Sequence, residues 1–216
     1  MISSIPISSL AGSSIPGSSD GLTFESVIDI TKESEDVVIS DVLSFDELVE
    51  IIAQDKNISI DQAKNEIMAS QRKKLSKGNR VLTSSELENM IMAKTYRTIE
   101  RTIDYWFYWK PKVRFYVETS EWGSYWGILQ IVDSTLIREY LYVSKQFSGT
   151  LFVNLESAYM IYYYVNGDFY DNGTTTQTAG FSIGVGEYLT IEYSVSYSSN
   201  HFGYMFYEER INTQPR

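Results

Sequence analysis

The chain has 216 residues, 28 of them acidic and 18 basic, and a net charge of −10 at pH 7. That charge repels phosphate backbones and anionic lipid headgroups at long range, which argues against nucleic acid as a partner. Cysteine is absent, which excludes disulfides, thiolate catalysis and cysteine-ligated zinc, and no apolar run approaches the roughly 20 residues of a membrane span.

A chain of this length buries roughly 70% of its unfolded surface and needs no covalent staple. Its first twenty residues, MISSIPISSLAGSSIPGSSD, hold eight serines and one charge, too little apolar mass to offset the entropy of ordering, so a mobile tail is expected. A second reading stays open. Ser9-x-Ala11 has the small-residue spacing that signal peptidase accepts, which would make residues 1–13 a truncated export signal, although a basic n-region and a continuous apolar h-region are missing. Residues 22–43 are acidic with short β-branched runs, Val27-Ile28 and Val37-Val38-Ile39, and read as linker or peripheral strand; residues 1–43 are therefore expected to be tail and linker.

From Ser44 the apolar period becomes 3.6. Ser44-Phe-Asp-Glu47 is a capping box, followed by Phe45, Leu48, Val49 and Ile52 on one helix face. Ser59-Ile-Asp-Gln62 starts a second helix over Ala63, Ile67 and Met68, trailing into Arg72-Lys73-Lys74, where cations suit a helix C-terminus. Thr83-Ser-Ser-Glu86 opens a shorter third over Leu87, Met90 and Ile91. Residues 44–94 are thus expected to form a small helical unit.

After Lys94 the period becomes two, and all four tryptophans and all but one tyrosine lie beyond residue 100. Val113, Phe115 and Val117 alternate with Arg114, Tyr116 and Glu118; Phe147, Leu151, Val153 and Leu155 alternate with polar residues; Leu189 to Tyr197 repeats the pattern, and a last strand covers Phe202 to Glu208. Asn166-Gly167, between YMIYYYV and DFY, is a strong hairpin signal because both central positions of a type I′ turn need positive φ. Ser120–Gly123, Asp171–Gly173, Gly184–Gly186 and Ser198–Asn200 read as further turns. The expected fold is mainly β, an antiparallel β-sandwich over residues 95–212 preceded by the helical unit. The aromatic run Tyr105–Trp109 reads as strand, with Tyr105, Phe107 and Trp109 facing one way and Trp106 and Tyr108 the other.

Residues able to carry catalysis are sparse. His201 is the only histidine, so a hydrolase triad or a histidine zinc site would rest on one turn residue. Glu118 with Glu121, and Glu208 with Glu209, are carboxylate pairs of the kind that glycoside hydrolysis uses, but adjacent residues of a strand face opposite sides, so the second pair cannot act together. Asp168–Gly173 gathers oxygen ligands without the spacing of a calcium loop, and no metal or cofactor is expected. Ile52–Ile67 has the texture of a helix-turn-helix, but its second helix presents Asp61 and Glu66 where phosphate contacts would fall. There remain Trp106, Tyr108, Trp122, Tyr125 and Trp126, the candidate ligand-binding residues. Flat rings stack on sugars, and Glu121-Trp-Gly-Ser-Tyr-Trp126 sets polar groups beside them.

SFDELVEIIAQDKNISIDQAKNEI in the helical part, together with YWGILQI, QFSGTLFVNL, VNGDFYDNGTTT and SNHFGY in the strand-rich part, resembles an uncharacterised family of small exported Firmicutes proteins with a helical stretch before a C-terminal β domain. The similarity spans roughly residues 44–208 and transfers no site residue, since that family has no assigned activity. It implies export, to the cell surface or beyond. The expected function is non-enzymatic binding of a glycan or protein partner through aromatic residues of the sandwich; the alternative is a cell-wall glycan hydrolase using paired carboxylates.

Overall fold

The computed structural model describes residues 27–28, 37–77 and 82–214. The export-signal reading of residues 1–13 and the tail reading of the first twenty lie outside them.

Three helices come first. In α1 (Phe45–Lys56) the Ser44 hydroxyl accepts from the Glu47 N–H, and the Glu47 carboxylate accepts the Ser44 N–H at 2.7 Å, so two donors that the first turn leaves unpaired are both satisfied. Asn57 ends this helix at φ 54, with its N–H reaching the carbonyls of Ala53 and Gln54. In α2 (Ile60–Lys77) the Ser59 hydroxyl accepts the Gln62 N–H at 3.1 Å, and α3 (Ser84–Met92) repeats the capping box with Thr83 and Glu86. All three start where the sequence places them.

The strands follow as β1 (Val27–Ile28), β2 (Val37–Ile39), β3 (Thr95–Thr102), β4 (Lys112–Trp122), β5 (Tyr125–Ile137), β6 (Glu139–Tyr140), β7 (Val143–Ser144), β8 (Gln146–Ser157), β9 (Met160–Gln177), β10 (Ile183–Gly184) and β11 (Tyr188–Asn212). One antiparallel sheet has the order β10-β5-β4-β3-β2. The other is built from β8, β9 and β11, with β1 running parallel to the end of β11. Its three long strands each pair with the other two. Tyr193 of β11 faces both Gly149 of β8 and Gln177 of β9, so β9 and β11 curl around the start of β8.

The two sheets face each other across a core of alternate residues. Ile99, Val113, Phe115, Val117 and Ile131 come from one sheet, and Leu151, Val153, Ile161, Tyr163, Val165, Phe169 and Ile191 from the other. The opposite set on the first sheet, Tyr96, Tyr116 and Val132, is buried under Phe45, Leu48, Ile52, Ile67, Leu87 and Ile91 of the helices. The molecule is therefore mainly β, a sandwich with a small helical unit laid on one sheet. This middle sheet is covered on both faces.

Charges between helices and sheet are paired. Lys56 of α1 bonds Asp133 of β5, Asp55 accepts from Arg114 at 2.5 Å and from the Tyr116 hydroxyl at 2.6 Å, and Lys94 meets Glu118 at 2.8 Å. Burial at this interface thus leaves these carboxylates matched by cations.

Four local expectations are corrected. Asp171–Gly173 is not a turn but lies inside β9, where Asn172 pairs with Ser199 and Thr174 with Ser196 of β11, so the long ladder overrides the local turn residues. Asn166-Gly167 is not a turn but lies inside β9, and the β8–β9 hairpin closes at Ala158-Tyr159 instead. Val165 and Phe169 are both buried on the same face, so continuous pairing with β8 overrides the local turn preference. Ser198–Asn200 does not separate two strands. It forms irregular pairing within β11, where register shifts occur between Ser196 and Ser199 and between His201 and Gly203, with Tyr197 and Asn200 at φ 55 and 57. The run Tyr105–Lys110 is a loop, closed by the Ile103 N–H donating to the Pro111 carbonyl at 2.8 Å. Pro111 has no N–H to continue a ladder, and Trp109 turns inward to plug the sandwich end while Phe107 is 98% exposed, so strand alternation does not apply there.

Candidate binding site

The five sequence-nominated aromatics fall into two groups at opposite ends of β4. Trp106 and Tyr108 lie in the loop before its first residue, whereas Trp122 is its last residue and Tyr125 and Trp126 open β5 across the hairpin. Eleven residues of extended chain separate them, about 35 Å. They cannot form one site.

Trp106 is half-buried and structural. Its ring lies 5.1 to 5.5 Å from those of Phe202, Phe169 and Trp109, a cluster that closes the sandwich end. Tyr108 meets Phe202 edge-on at 5.9 Å and is otherwise exposed.

The other three form the β4–β5 tip. Trp122 and Tyr125 are directly opposed in register, joined by Gly123-Ser124. Gly123 has φ 61 and Ser124 has no positive φ, as a type II′ turn requires, so the glycine fixes the turn and the turn fixes the pair. Trp122 is 86% exposed and Tyr125 is exposed beside it. Trp126 faces the other way. Its ring packs partly on the core, with the Arg97 guanidinium 5.1 Å from its centre. Arg97 holds Glu121 with two hydrogen bonds of 2.9 and 3.1 Å, and donates to the Ser40 carbonyl at 2.8 Å. The hydrogen bond from Arg97 holds the Glu121 carboxyl below its ordinary range, despite the opposing effect of burial. The tip therefore carries two exposed rings on one face and a braced, ionised polar pair beside Trp126 on the other.

Comparison with family models, with curated proteins and with solved structures finds no match to this chain.

Two aromatic groups are less legible in the sequence. Across the outer face of the second sheet runs Tyr188, Phe152, Tyr164 and Phe206. Phe152 stacks on Tyr164 at 5.0 Å and on Tyr188 at 5.6 Å, so these ring faces are spent on each other and offer mainly edges to a ligand. The alternation within Tyr162-Tyr163-Tyr164 was a signal for this row, because Tyr163 is buried in the core and its neighbours are not. Leu141 and Tyr142, exposed at the β6–β7 turn, had no such signal.

The carboxylates that the sequence nominates are committed to partners. Glu208 and Glu209 do face opposite sides, Glu208 bonding the Tyr162 hydroxyl at the surface and Glu209 buried on Arg101. Glu118 takes Lys94, and Glu121 takes Arg97. A cleft of about 1000 Å³ beside the β6–β7 turn includes Asp55 and Glu139, but Asp55 is held by Arg114 and Tyr116. Burial raises the Glu100 carboxyl, yet Lys112 and Arg114 outweigh it and hold it low. A general acid needs the reverse displacement. His201 stands exposed on β11, 2.8 Å from Asp168, and Asp171 pairs with Lys145 at 2.5 Å, so the acids of the 168–173 stretch each have a partner. No group of three or more histidine, aspartate or glutamate side chains suited to a metal occurs among the described residues.

Proposed function

We propose that this is a non-catalytic binding protein, exported and acting at the cell surface, that recognises a glycan through the β4–β5 tip. The observation that carries the reading is the Trp122–Tyr125 pair, two large rings directly opposed at a two-residue turn and left open to solvent. Sugar rings present apolar C–H faces to aromatic planes and hydroxyls to polar groups, and this tip offers both through Trp122 and Tyr125 with Ser120 and Ser124 alongside, the Glu121–Arg97 pair bracing the opposite face of the hairpin. Strand pairing fixes the backbone that carries the two rings before binding, which lowers the entropic cost of association. Hydrolysis is supported less well, because Glu118 and Glu121 are each matched by a cation.

A glycan array probed with the full chain tests this, with Trp122→Ala and Tyr125→Ala as controls. Each substitution is expected to weaken retention roughly tenfold. Retention unchanged in both variants removes the site, and no retained glycan for the unaltered chain removes the function. Export rests on the family resemblance, and fractionation of cells producing the protein checks it: protein confined to the cytosol ends that part of the proposal.

A further inference from the structure

The sandwich end remote from Trp122 carries a second set of exposed side chains, on two neighbouring tips. β6 and β7 are joined by Leu141-Tyr142 alone, since Tyr140 pairs with Val143. Both central residues have positive φ, 47 and 66, which makes a type I′ turn. Asn-Gly suits that geometry; leucine and tyrosine do not, because a bulky side chain crowds the backbone in the left-handed region. Neither side chain recovers this strain by packing, for Leu141 is 71% exposed and Tyr142 is 96% exposed. Strain that holds apolar groups in water is a mark of use at that surface.

The second tip is the 103–111 loop. The Trp109 indole N–H donates to the Val143 carbonyl at 3.2 Å, which ties the loop to the β6–β7 hairpin and sets Phe107 and Tyr108 beside it. Tyr105, Phe107, Tyr108, Leu141, Tyr142 and Val143 are all exposed.

We propose that this end inserts into the interfacial region of a lipid bilayer. Six side chains on two loop tips fall well short of the roughly 20–30 residues per side of a specific protein interface. Leu141 and Val143 offer a sugar neither a flat ring nor a hydrogen bond. A bilayer surface moulds itself around isolated tips, takes up phenylalanine and leucine among the acyl chains, and leaves phenol hydroxyls at the headgroups. Three lysines at the base of the tips are matched, Lys110 by Asp104, Lys112 by Glu100 and Lys145 by Asp171, and Arg138 donates to the Lys145 carbonyl, Gln146 and Thr175. With a net charge of −10 on the chain, the insertion is apolar in origin and favours zwitterionic lipid.

Flotation of the full chain with phosphatidylcholine vesicles, and with vesicles of phosphatidylcholine mixed with phosphatidylglycerol, tests this. The unaltered chain is expected to float with the first and less with the second. Leu141→Asn combined with Tyr142→Gly supplies the residues that a type I′ turn prefers, so it is expected to melt no lower than the unaltered chain while partitioning roughly tenfold less or weaker still. Its binding of any glycan held at the β4–β5 tip is expected to be unchanged, which separates this outcome from failure of the glycan reading. Three results overturn the proposal: no flotation of the unaltered chain, equal flotation of the double variant, or a concentration-dependent dimer that the double substitution abolishes.

Discussion

Gly149 and Gly167 face each other across β8 and β9, and the Phe147 ring lies over both. A Cβ added at Gly167 would stand 2.3 Å from the Ser148 carbonyl oxygen, 2.7 Å from Gly149 Cα and 2.8 Å from the Phe147 ring. Glycine at 167 therefore serves close backbone approach and not a turn. Gly167→Ala is expected to cost about 3 kcal/mol or more, since two of the three clashing atoms are backbone and cannot swing aside. Denaturant unfolding measures it. A loss below about 0.5 kcal/mol, the ordinary range of a surface change, would mean that the strands are not this close.

Arg101 of β3 and Glu209 of β11 form an ion pair at 2.8 Å inside the sandwich, where the Tyr163 and Tyr207 hydroxyls also donate to the same Glu209 oxygen at 2.9 and 3.1 Å. Burial works against the Arg101 charge, but the hydrogen bond and charge of Glu209 outweigh it, so the guanidinium stays ionised. Glu209→Gln removes the buried carboxylate that faces the Arg101 guanidinium and is expected to cost about 3 kcal/mol. Glu209→Leu together with Arg101→Met is expected to cost less than the two single losses added, because each single change also forfeits the attraction between the pair. A double-mutant cycle by chemical denaturation gives the coupling; purely additive losses would show the pair to be energetically independent.

Lys56 ties α1 to the middle sheet. Its side chain is almost fully buried, bonded to Asp133 and 3.6 Å from Glu66. Lys56→Met keeps the apolar stem and strands the Asp133 carboxylate, with an expected loss of about 3 kcal/mol. The helices should loosen first, visible as faster amide exchange in α1 than in β4. Uniform loss of protection would show that the helices and sandwich unfold as one unit.

Elements with local determinants were legible in the sequence, and those fixed by distant pairing were not. Ser44 with Glu47 and Thr83 with Glu86 announced helix starts because a capping box is complete within four residues. Val113, Phe115 and Val117 announced an inner face because strand period is local. Asn166-Gly167 misled, since its meaning is set by Gly149, eighteen positions earlier in the chain. The candidate site was legible as exposed aromatics at Trp122 and Tyr125, but composition alone could not show that Trp106 is spent on Phe169 and Phe202, or that Leu141 and Tyr142 occupy a turn ill suited to them.

Together with Tyr96 and Tyr116, whose phenols burial also raises, Tyr163, Tyr193 and Tyr207 contribute to the alkaline limit of stability. Burial raises all three phenols, Tyr193 to about 12 and Tyr207 to about 12, with the charge of Glu209 adding to the effect at Tyr207 and Tyr163. A phenol is neutral when protonated, so a raised folded value means that the folded chain keeps a proton the unfolded chain has already lost. Their contribution is complete below the unfolded value of about 10 and disappears as pH rises from there towards about 12. Loss of near-ultraviolet dichroism is therefore expected in that window, with the tyrosinate absorbance of these three rising in the same cooperative step. Tyr207→Phe removes one titrating proton, so the fall in stability with pH should become shallower between 10 and 12, whatever the starting stability of the variant. An unaltered slope in that variant, or tyrosinate absorbance from the core tyrosines while the dichroism stays native, would place these phenols in contact with solvent and outside the sandwich core.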